Sequence, residues 1–159
     1  MSKSESWMEK MNGGDKDIKT PEHDKIVQLV LKCKKDIMNE LFGTDVNTSF
    51  ETHAEIERVL SNNGYVKGFI DIVLSRAFYD RDEGNGTECA VIEIKTSVES
   101  LGAILRELQF YRSSCNQNYT TFCLVCPEIN SEWKQIILGQ SFRVLETNYI
   151  QALHDKVFT

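Results

Sequence analysis

The sequence has 159 residues, of which 41% are hydrophobic and 26% are charged, and its formal net charge is −6. These values fit one soluble globular domain and exclude an intrinsically disordered chain. They also argue against a protein that coats nucleic acid nonspecifically, because such binding requires many cationic side chains.

No apolar stretch approaches the roughly 20 residues of a membrane helix, and the start MSKSESWMEK lacks the apolar region of a signal peptide. The cysteines are odd in number and follow no small-scaffold disulfide spacing, so we expect reduced thiols. We therefore expect an intracellular protein, cytoplasmic or nucleoid-associated, that is not secreted and does not bind a membrane.

Residues 1–19 are polar and show no period, so we expect a flexible tail before a single domain over residues 20–159. Trp7, Met8 and Met11 leave open a short docking element within that tail. Thr20, Pro21 and Glu22 then predict the start of a long amphipathic helix, which ends at Gly43.

A hairpin is predicted next, from a run over residues 46–60, a turn over 61–64 and a strand over 65–75, although residues 54–60 alone also suit a helical turn. Residues 76–88 are predicted to form a polar turn before a third antiparallel strand over 89–95. Thr96 and Glu99 form a capping box that predicts a second helix.

A further strand is predicted over residues 120–125, then a helix around Trp133, a short strand over 142–145 and a terminal helix over 149–158. The strand after the capping-box helix is expected to lie parallel to the strand before it. The element order therefore predicts an α/β fold, with a central mixed β-sheet flanked by helices.

Three charged residues interrupt otherwise apolar strands, namely Asp71, Glu93 and Lys95. The two-residue period of a strand places Glu93 and Lys95 on one face, where Asp71 of the neighbouring strand can join them. Two such carboxylates repel unless a cation separates them, and oxygen ligands suit Mg²⁺ or Mn²⁺. The alternative is a buried ion pair without chemistry, but such pairs stabilise a fold poorly.

In the segments Gly68-Phe69-Ile70-Asp71 and Ile92-Glu93-Ile94-Lys95, the chain resembles the PD-(D/E)XK nuclease superfamily, in its RecB-like and archaeal Holliday-junction-resolvase-like branches. The resemblance covers roughly residues 20–127. It implies a restriction-endonuclease-like core with α-β-β-β-α-β order, and a phosphodiester hydrolase that acts on nucleic acid, DNA foremost.

The resemblance also implies roles for individual residues. Asp71, Glu93 and the backbone carbonyl of Ile94 would hold a divalent ion, and Lys95 would orient the attacking water. Glu22 matches the helix acid that holds a metal-bound water in such nucleases, but it could equally be a first-turn residue that complements the helix dipole. Ile70 stands in place of the nominal proline of the motif.

Gln109 lies on the second helix, where the RecB-like branch has a glutamine followed by a tyrosine four residues later, a spacing that Gln109 lacks. Arg106 lies on the same polar face and, with Lys67 of the hairpin, is a candidate phosphate contact. A solvated surface explains these three positions nearly as well.

Other constellations indicate structure rather than chemistry. Cys123 and Cys126 lie on opposite faces of an apolar strand, so core thiols are favoured over a metal site. His23 adjoins Glu22, which leaves open a contact with the site, but we expect a histidine that is exposed at the helix start. Three hypotheses remain: a Mg²⁺- or Mn²⁺-dependent nuclease, which we favour, a non-catalytic nuclease-fold module that binds nucleic acid or docks onto a larger DNA-processing complex, and a purely structural ion-pair cluster. A homodimer that presents two sites is compatible with each.

Overall fold

The computed structural model describes residues 20–44, 51–62, 64–80, 82, 84–115 and 118–157. The predicted tail and the beginning of the predicted hairpin run lie outside these residues. The elements in chain order are α1 (Pro21–Lys32), α2 (Lys34–Phe42), β1 (His53–Asn62), β2 (Tyr65–Asp80), β3 (Gly84–Ile94), α3 (Leu101–Ser114), β4 (Thr120–Cys126), α4 (Ser131–Gly139), β5 (Arg143–Glu146) and α5 (Thr147–Val157).

The strands form one mixed sheet in the order β1-β2-β3-β4-β5. The first three strands are antiparallel, and β4 and β5 continue the sheet in parallel with β3. Helix α3 makes the crossover between the parallel strands β3 and β4, as the α/β pattern requires. The predicted mixed sheet and its α-β-β-β-α-β core are confirmed.

Each face of the sheet is covered by its own helices. Buried residues of α1, α2 and α5 pack on one face, against side chains such as Ile72 and Ile92. Buried residues of α3 and α4 pack on the other face, against side chains such as Val91 and Leu124. Because β2 and β3 are covered on both sides, any charge in their central parts must find a partner within the fold.

The first helix is shorter than predicted. Thr20 caps it as expected, since its hydroxyl accepts a hydrogen bond from His23 N–H at 3.1 Å. The helix then breaks at Cys33, whose φ of −101° and ψ of 15° depart from helical values, and α2 follows as a separate helix to Gly43. The prediction of one continuous helix is wrong at this point, where neither proline nor glycine marks the break in the sequence.

The predicted polar turn over residues 76–88 is also wrong for most of its length. Strand β2 continues to Asp80, and β3 already begins at Gly84. Arg76, which suggested a turn, is 2% exposed and bonds Glu88, Asn39 and the carbonyl of Gly43. A buried network of partners thus lets a charged residue occupy a strand interior.

The start of helix α3 is the third difference between the structure and the predictions. Helix α3 begins at Leu101, and Ser100 is its cap, because the Ser100 hydroxyl accepts from Ala103 N–H at 3.2 Å. Ile104, Leu108 and Tyr111 of this helix are buried against the sheet, whereas Phe110 is 37% exposed. None of the described helices is long and apolar enough to cross a membrane.

Candidate active site

Asp71 lies where the antiparallel pair β2–β3 begins to separate. The register pairs Ile72 with Ile92, so its continuation sets Asp71 opposite Glu93. Asp71 Oδ2 accepts a hydrogen bond from the backbone N–H of Ile94 at 2.8 Å. A side chain therefore replaces the backbone as the partner of β3 at this point, which brings the carboxylate against the end of the strand.

Strands β1 and β2 are both irregular near Asp71. Ile70 and Val73 pack into the same core cluster although they are three residues apart, so the side-chain alternation slips around Asp71. On β1, the register skips Glu57, between the pairs Ile56–Ile72 and Arg58–Ile70, and Glu57 has a positive φ of 53°. The Asp71 side chain therefore does not follow the regular alternation of side chains along β2.

Glu93 is buried on the α3 side of β3, with 6% of its surface exposed. Its Oε2 lies 2.7 Å from the hydroxyl of Tyr111, and that hydroxyl also lies 3.1 Å from the carbonyl of Phe69. Burial, and then the nearby Asp71 and Glu107 carboxylates, raise the pKa of Glu93 well above its usual value. This carboxyl therefore holds its charge at a cost in free energy that a cation would remove.

Lys95 is the cation that the fold places beside Glu93. Its Nζ lies 3.4 Å from Glu93 Oε1 and 3.4 Å from both oxygens of Glu107. Only Glu107 Oε1 accepts a hydrogen bond, and the buried Oε2 has no hydrogen-bond donor among the described residues. Two carboxylates thus share one ammonium group, which leaves part of their charge uncompensated.

His23 approaches Asp71 from the opposite layer of the fold. The start of α1 brings His23 Nε2 to 3.4 Å from Asp71 Oδ1, and the residue is buried, with 9% of its surface exposed. The expectation of an exposed helix-start histidine is therefore wrong. Imidazole nitrogen is a common metal ligand, so His23 joins the carboxylates as a candidate ligand.

Two predicted site residues lie apart from this group. Glu22 is exposed in the first turn of α1, while its neighbour His23 faces Asp71. Gln109 is exposed on α3, and its amide donates to Gln140 Oε1 at 2.8 Å. Gln109 lies two residues from both Glu107 and Tyr111, or about 200° around the helix, so it faces away from the sheet.

The predicted phosphate contacts are both exposed. Arg106 lies on α3, where its guanidinium group covers Gly102. Lys67 has no partner in the β1–β2 register, which shifts between Leu60 and Ser61 opposite this residue. The bulge turns Lys67 outward, and both cations are free of the packed core.

Glu107 was missed as a site residue by the sequence analysis, and Tyr111 was disfavoured because this tyrosine does not lie four residues after Gln109. Glu107 and Tyr111 are four residues apart on α3, the spacing that places two side chains on one helix face. The strongest signal was thus the acid at 107 itself, in a helix face that points to the sheet.

The cysteines do not contribute to this group. Cys123 and Cys126 are buried in the two core clusters on opposite faces of the sheet, as predicted. Burial raises the pKa of each thiol to about 12, so both are protonated at neutral pH. Elsewhere among the described residues, Cys33, Asp36 and His154 form a group that could hold a metal ion.

No protein-family model matches the chain, and no curated protein matches it significantly. Among solved structures, a repair endonuclease from Pyrococcus abyssi is 16% identical, with a TM-score of 0.49 over 78% of this chain and 46% of that chain. The EndoMS complex with double-stranded DNA is 18% identical, with a TM-score of 0.38 over 72% and 44%. The MspJI restriction endonuclease, bound to a 27-mer oligonucleotide, is 13% identical, with a TM-score of 0.46 over 79% and 26%.

The chain thus spans less than half the length of each of these proteins. At these values the comparisons establish neither activity nor substrate. The fold follows from the chain's own element order, its strand pairing and the crossover helix α3. On that basis the chain has a restriction-endonuclease-like fold.

Proposed function

We propose that this chain is a divalent-metal-dependent nuclease that hydrolyses phosphodiester bonds in DNA. The observation that carries the proposal is a buried carboxyl, Glu93, set opposite Asp71 at the point where β2 and β3 separate, with the Lys95 ammonium 3.4 Å away. A structural ion pair needs one acid and one base, whereas this group holds an excess of acids.

The charges of the group fit a divalent cation. When ionised, Asp71, Glu93 and Glu107 carry −3 and Lys95 carries +1, which leaves −2 with His23 neutral. Glu107 Oε2, which has no hydrogen-bond donor among the described residues, and the raised pKa of Glu93 are two signs of that excess. A bound Mg²⁺ or Mn²⁺ would supply Lewis-acid stabilisation of the phosphoryl group and lower the pKa of a coordinated water.

Each residue then has a distinct part. Asp71 and Glu93 hold the ion, with the Ile94 carbonyl and His23 as further ligands. The Lys95 ammonium orients the attacking water and stabilises the negative charge that develops on the phosphoryl oxygens. Glu107 holds Lys95 in place, and Tyr111 orients the Glu93 carboxylate.

The choice of ion follows from the ligands. Carboxylate and carbonyl oxygens suit Mg²⁺ and Mn²⁺ alike, but an imidazole ligand favours the softer Mn²⁺. We therefore expect Mn²⁺ to support the higher activity. In this account His23 takes the place that the sequence analysis gave to Glu22.

The proposed contacts to DNA are Arg106 and Lys67. Both side chains are exposed, and both lie on elements that carry site residues, since α3 carries Tyr111 and β2 carries Asp71. Cations at such positions would bind the phosphates on either side of the scissile bond. Two such cations in a chain of net charge −6 suit a local contact with DNA rather than a long basic groove.

The test is a cleavage assay with purified protein over single-stranded, duplex, flap and four-way DNA, with RNA of matched sequence beside it. We expect cleavage of DNA with Mn²⁺, none with chelator, and a loss of at least about 100-fold in Glu93→Gln. Glu132→Gln, which removes an exposed acid from the first turn of α4, is the matched control and should cleave as the wild type does.

A non-catalytic nuclease-fold module is the competing function. It would bind one of these substrates, with or without Mn²⁺, and leave it intact. Equal cleavage by the wild type and Glu93→Gln would assign the activity to a contaminant and contradict the proposal. Mn²⁺ binding without cleavage of any substrate would favour the module instead.

A homodimer is part of the proposal, because two sites could then face the two strands of one duplex or junction. Strand β1 lies at the edge of the sheet, and it exposes Ile56 and Val59. Pairing of two β1 edges would cover both side chains. Sedimentation of the wild type and Val59→Lys tests this arrangement, since only the variant should be monomeric.

A further inference from the structure

A second group of potential metal ligands lies where three helices meet. Cys33 stands at the break between α1 and α2, Asp36 lies in the first turn of α2, and His154 lies near the end of α5. One ligand atom from each lies within 4.8 Å of the other two. These residues belong to different elements from the proposed catalytic carboxylates, and the helices α1, α2 and α5 pack on the other face of the sheet.

The spacing of the three atoms is close to that of a metal site. His154 Nδ1 lies 3.0 Å from Asp36 Oδ2. A tetrahedral zinc ion, with bonds of about 2.0–2.3 Å, separates its ligand atoms by roughly 3.3–3.6 Å. The histidine and aspartate atoms are thus nearly at the separation that an ion requires, and the thiol, which lies within 4.8 Å of both, must move closer by about 1.3 Å at most.

Burial and charge also suit an ion. Cys33 is fully buried, whereas the side chains of Asp36 and His154 are 14% and 18% exposed, so an ion could enter from solvent and keep a water as its fourth ligand. A thiolate and a carboxylate would together balance the charge of a divalent ion. Two further charges face Cys33, the carboxylate of Asp155 and the ammonium of Lys32, and these oppose each other.

We propose that Cys33, Asp36 and His154 bind a divalent transition-metal ion of the Zn²⁺ class, which links α5 to the joint between α1 and α2. The mixture of sulfur, nitrogen and oxygen ligands selects this class over Mg²⁺ or Ca²⁺, which prefer oxygen alone. The site is separate from the catalytic group, and the inference does not rest on the proposed nuclease function.

Binding of the ion has a defined proton balance. Burial, and then the charge of Asp36, raise the pKa of Cys33, so the thiol is protonated without an ion. The ion replaces that proton, which passes to solvent, and the sulfur becomes a thiolate ligand. No oxidation or reduction takes part in this step.

The alternative is an ordinary ion pair between Asp36 and His154 with a core thiol beneath it. Both accounts predict the same contacts without metal, so only metal binding separates them. Co²⁺ is a suitable probe, because a bound thiolate gives a near-ultraviolet sulfur-to-cobalt charge-transfer band that carboxylate ligands cannot give. Excess Mg²⁺ can meanwhile occupy the catalytic carboxylates.

The experiment is a Co²⁺ titration of the full chain, reduced and stripped of metal, in excess Mg²⁺. We expect a charge-transfer band that saturates at one equivalent, disappears in Cys33→Ser, and requires more than about tenfold more Co²⁺ in His154→Ala. Cys115→Ser, which alters a partly buried cysteine outside the group, is the matched control and should keep the band. Zn²⁺ should displace Co²⁺ and raise the unfolding midpoint of the wild type but not of His154→Ala.

Absence of the band in the wild type would overturn the proposal. So would a band of unchanged intensity in Cys33→Ser, because another thiol would then be the ligand. If the buried position makes Cys33→Ser unable to fold, Asp36→Asn and His154→Ala decide between the accounts. Wild-type Co²⁺ affinity in both folded variants would overturn the proposal, and weaker binding in both would support it.

Discussion

At the scale of single residues, Glu93 controls both the charge and the stability of the proposed active site. Its raised pKa means that the folded state binds the carboxyl proton more tightly than the unfolded state does. That contribution to stability is fully present below the unfolded pKa and is lost as the pH rises through the folded pKa. Without metal, the wild type should therefore lose stability from acidic toward neutral pH.

Glu93→Gln should remove this dependence. In chelator, we expect the variant to be at least as stable as the wild type at neutral pH, because it removes a buried acid whose charged form Asp71 and Glu107 disfavour. Mn²⁺ should then stabilise the wild type and leave the variant unchanged. Urea unfolding at several pH values measures both effects, and a stability difference that is constant across pH would contradict the assignment.

Tyr111 has one hydroxyl hydrogen and two acceptors in reach, Glu93 Oε2 and the carbonyl of Phe69. An ionised Glu93 draws the hydrogen to itself, whereas a protonated Glu93 can donate to the hydroxyl oxygen and release that hydrogen to Phe69. Burial and the adjacent Glu93 raise the pKa of Tyr111, so the phenol remains protonated in either case. The acceptor of the Tyr111 hydroxyl hydrogen thus depends on the charge of Glu93.

Tyr111→Phe should destabilise the chain by about 1.5–3 kcal/mol at neutral pH, the range for a hydrogen bond to a charged group. It should also reduce Mn²⁺-dependent cleavage, because Glu93 loses its orienting contact. Tyr149→Phe removes a comparable tyrosine–glutamate bond, to Glu40, at an exposed site and should change stability little. Equal losses in the two variants would argue against a special role for Tyr111.

At the scale of elements, Arg76 ties α2 to the sheet. Its guanidinium donates to Glu88 at 2.7 Å, to Asn39 at 2.7 Å and to the carbonyl of Gly43 at 2.6 Å. Gly43 and Asn39 belong to the end of α2, whereas Glu88 belongs to β3. One buried side chain therefore donates hydrogen bonds both to the end of α2 and to the sheet.

Arg76→Ala should cost about 3–5 kcal/mol of unfolding free energy, because it leaves a partly buried carboxylate and a helix end without partners. Arg58→Ala is the matched control, since Arg58 makes an exposed contact to Glu55 and should contribute less than about 1 kcal/mol. Denaturant unfolding measures both changes. A cost below about 1 kcal/mol for Arg76→Ala would show that the network does not stabilise the fold.

The same elements show what the sequence could predict. Apolar runs, caps and turn residues located the five strands and, apart from the break between α1 and α2, the helices of the described residues. Charges in the apolar runs of β2 and β3 singled out Asp71, Glu93 and Lys95. These signals are local and follow from burial on both faces of the sheet. They could not show that Arg76 lies inside a strand, because its partners Asn39 and Gly43 are more than 30 residues away.

The rotation of helix α3 about its own axis could not be predicted either. The apolar residues of α3 suit more than one orientation, and the sequence also favours Thr96 over Ser100 as the cap. The structure turns Glu107 and Tyr111 toward the site and Gln109 away from it. Likewise, the burial of His23 depends on how α1 packs against β2, which no local pattern specifies.

At the scale of the whole molecule, the net charge of −6 means that DNA binding must depend on few cations. In a Glu93→Gln background, which prevents cleavage, Lys67→Ala and Arg106→Ala should each weaken DNA binding at low salt. Each should also reduce the slope of log affinity against log salt by about 0.7–0.9, the value for one lost phosphate contact.

Lys134→Ala is the control for this prediction, because Lys134 lies on α4 and pairs with Glu146 at 3.0 Å. Its salt slope should equal that of the parent. If the three variants share one slope, the phosphate contacts do not lie at Lys67 and Arg106, and another surface must meet the nucleic acid.

Lys95 is the residue whose substitution tests the proposed hydrolysis best, since its ammonium group acts on the attacking water and the phosphoryl oxygens without binding the ion. Lys95→Met keeps the length of the side chain and removes its charge. We predict that this variant binds Mn²⁺ with at least wild-type affinity and cleaves DNA at least about 100-fold more slowly in single-turnover assays. Cleavage by Lys95→Met at the wild-type rate would contradict the account.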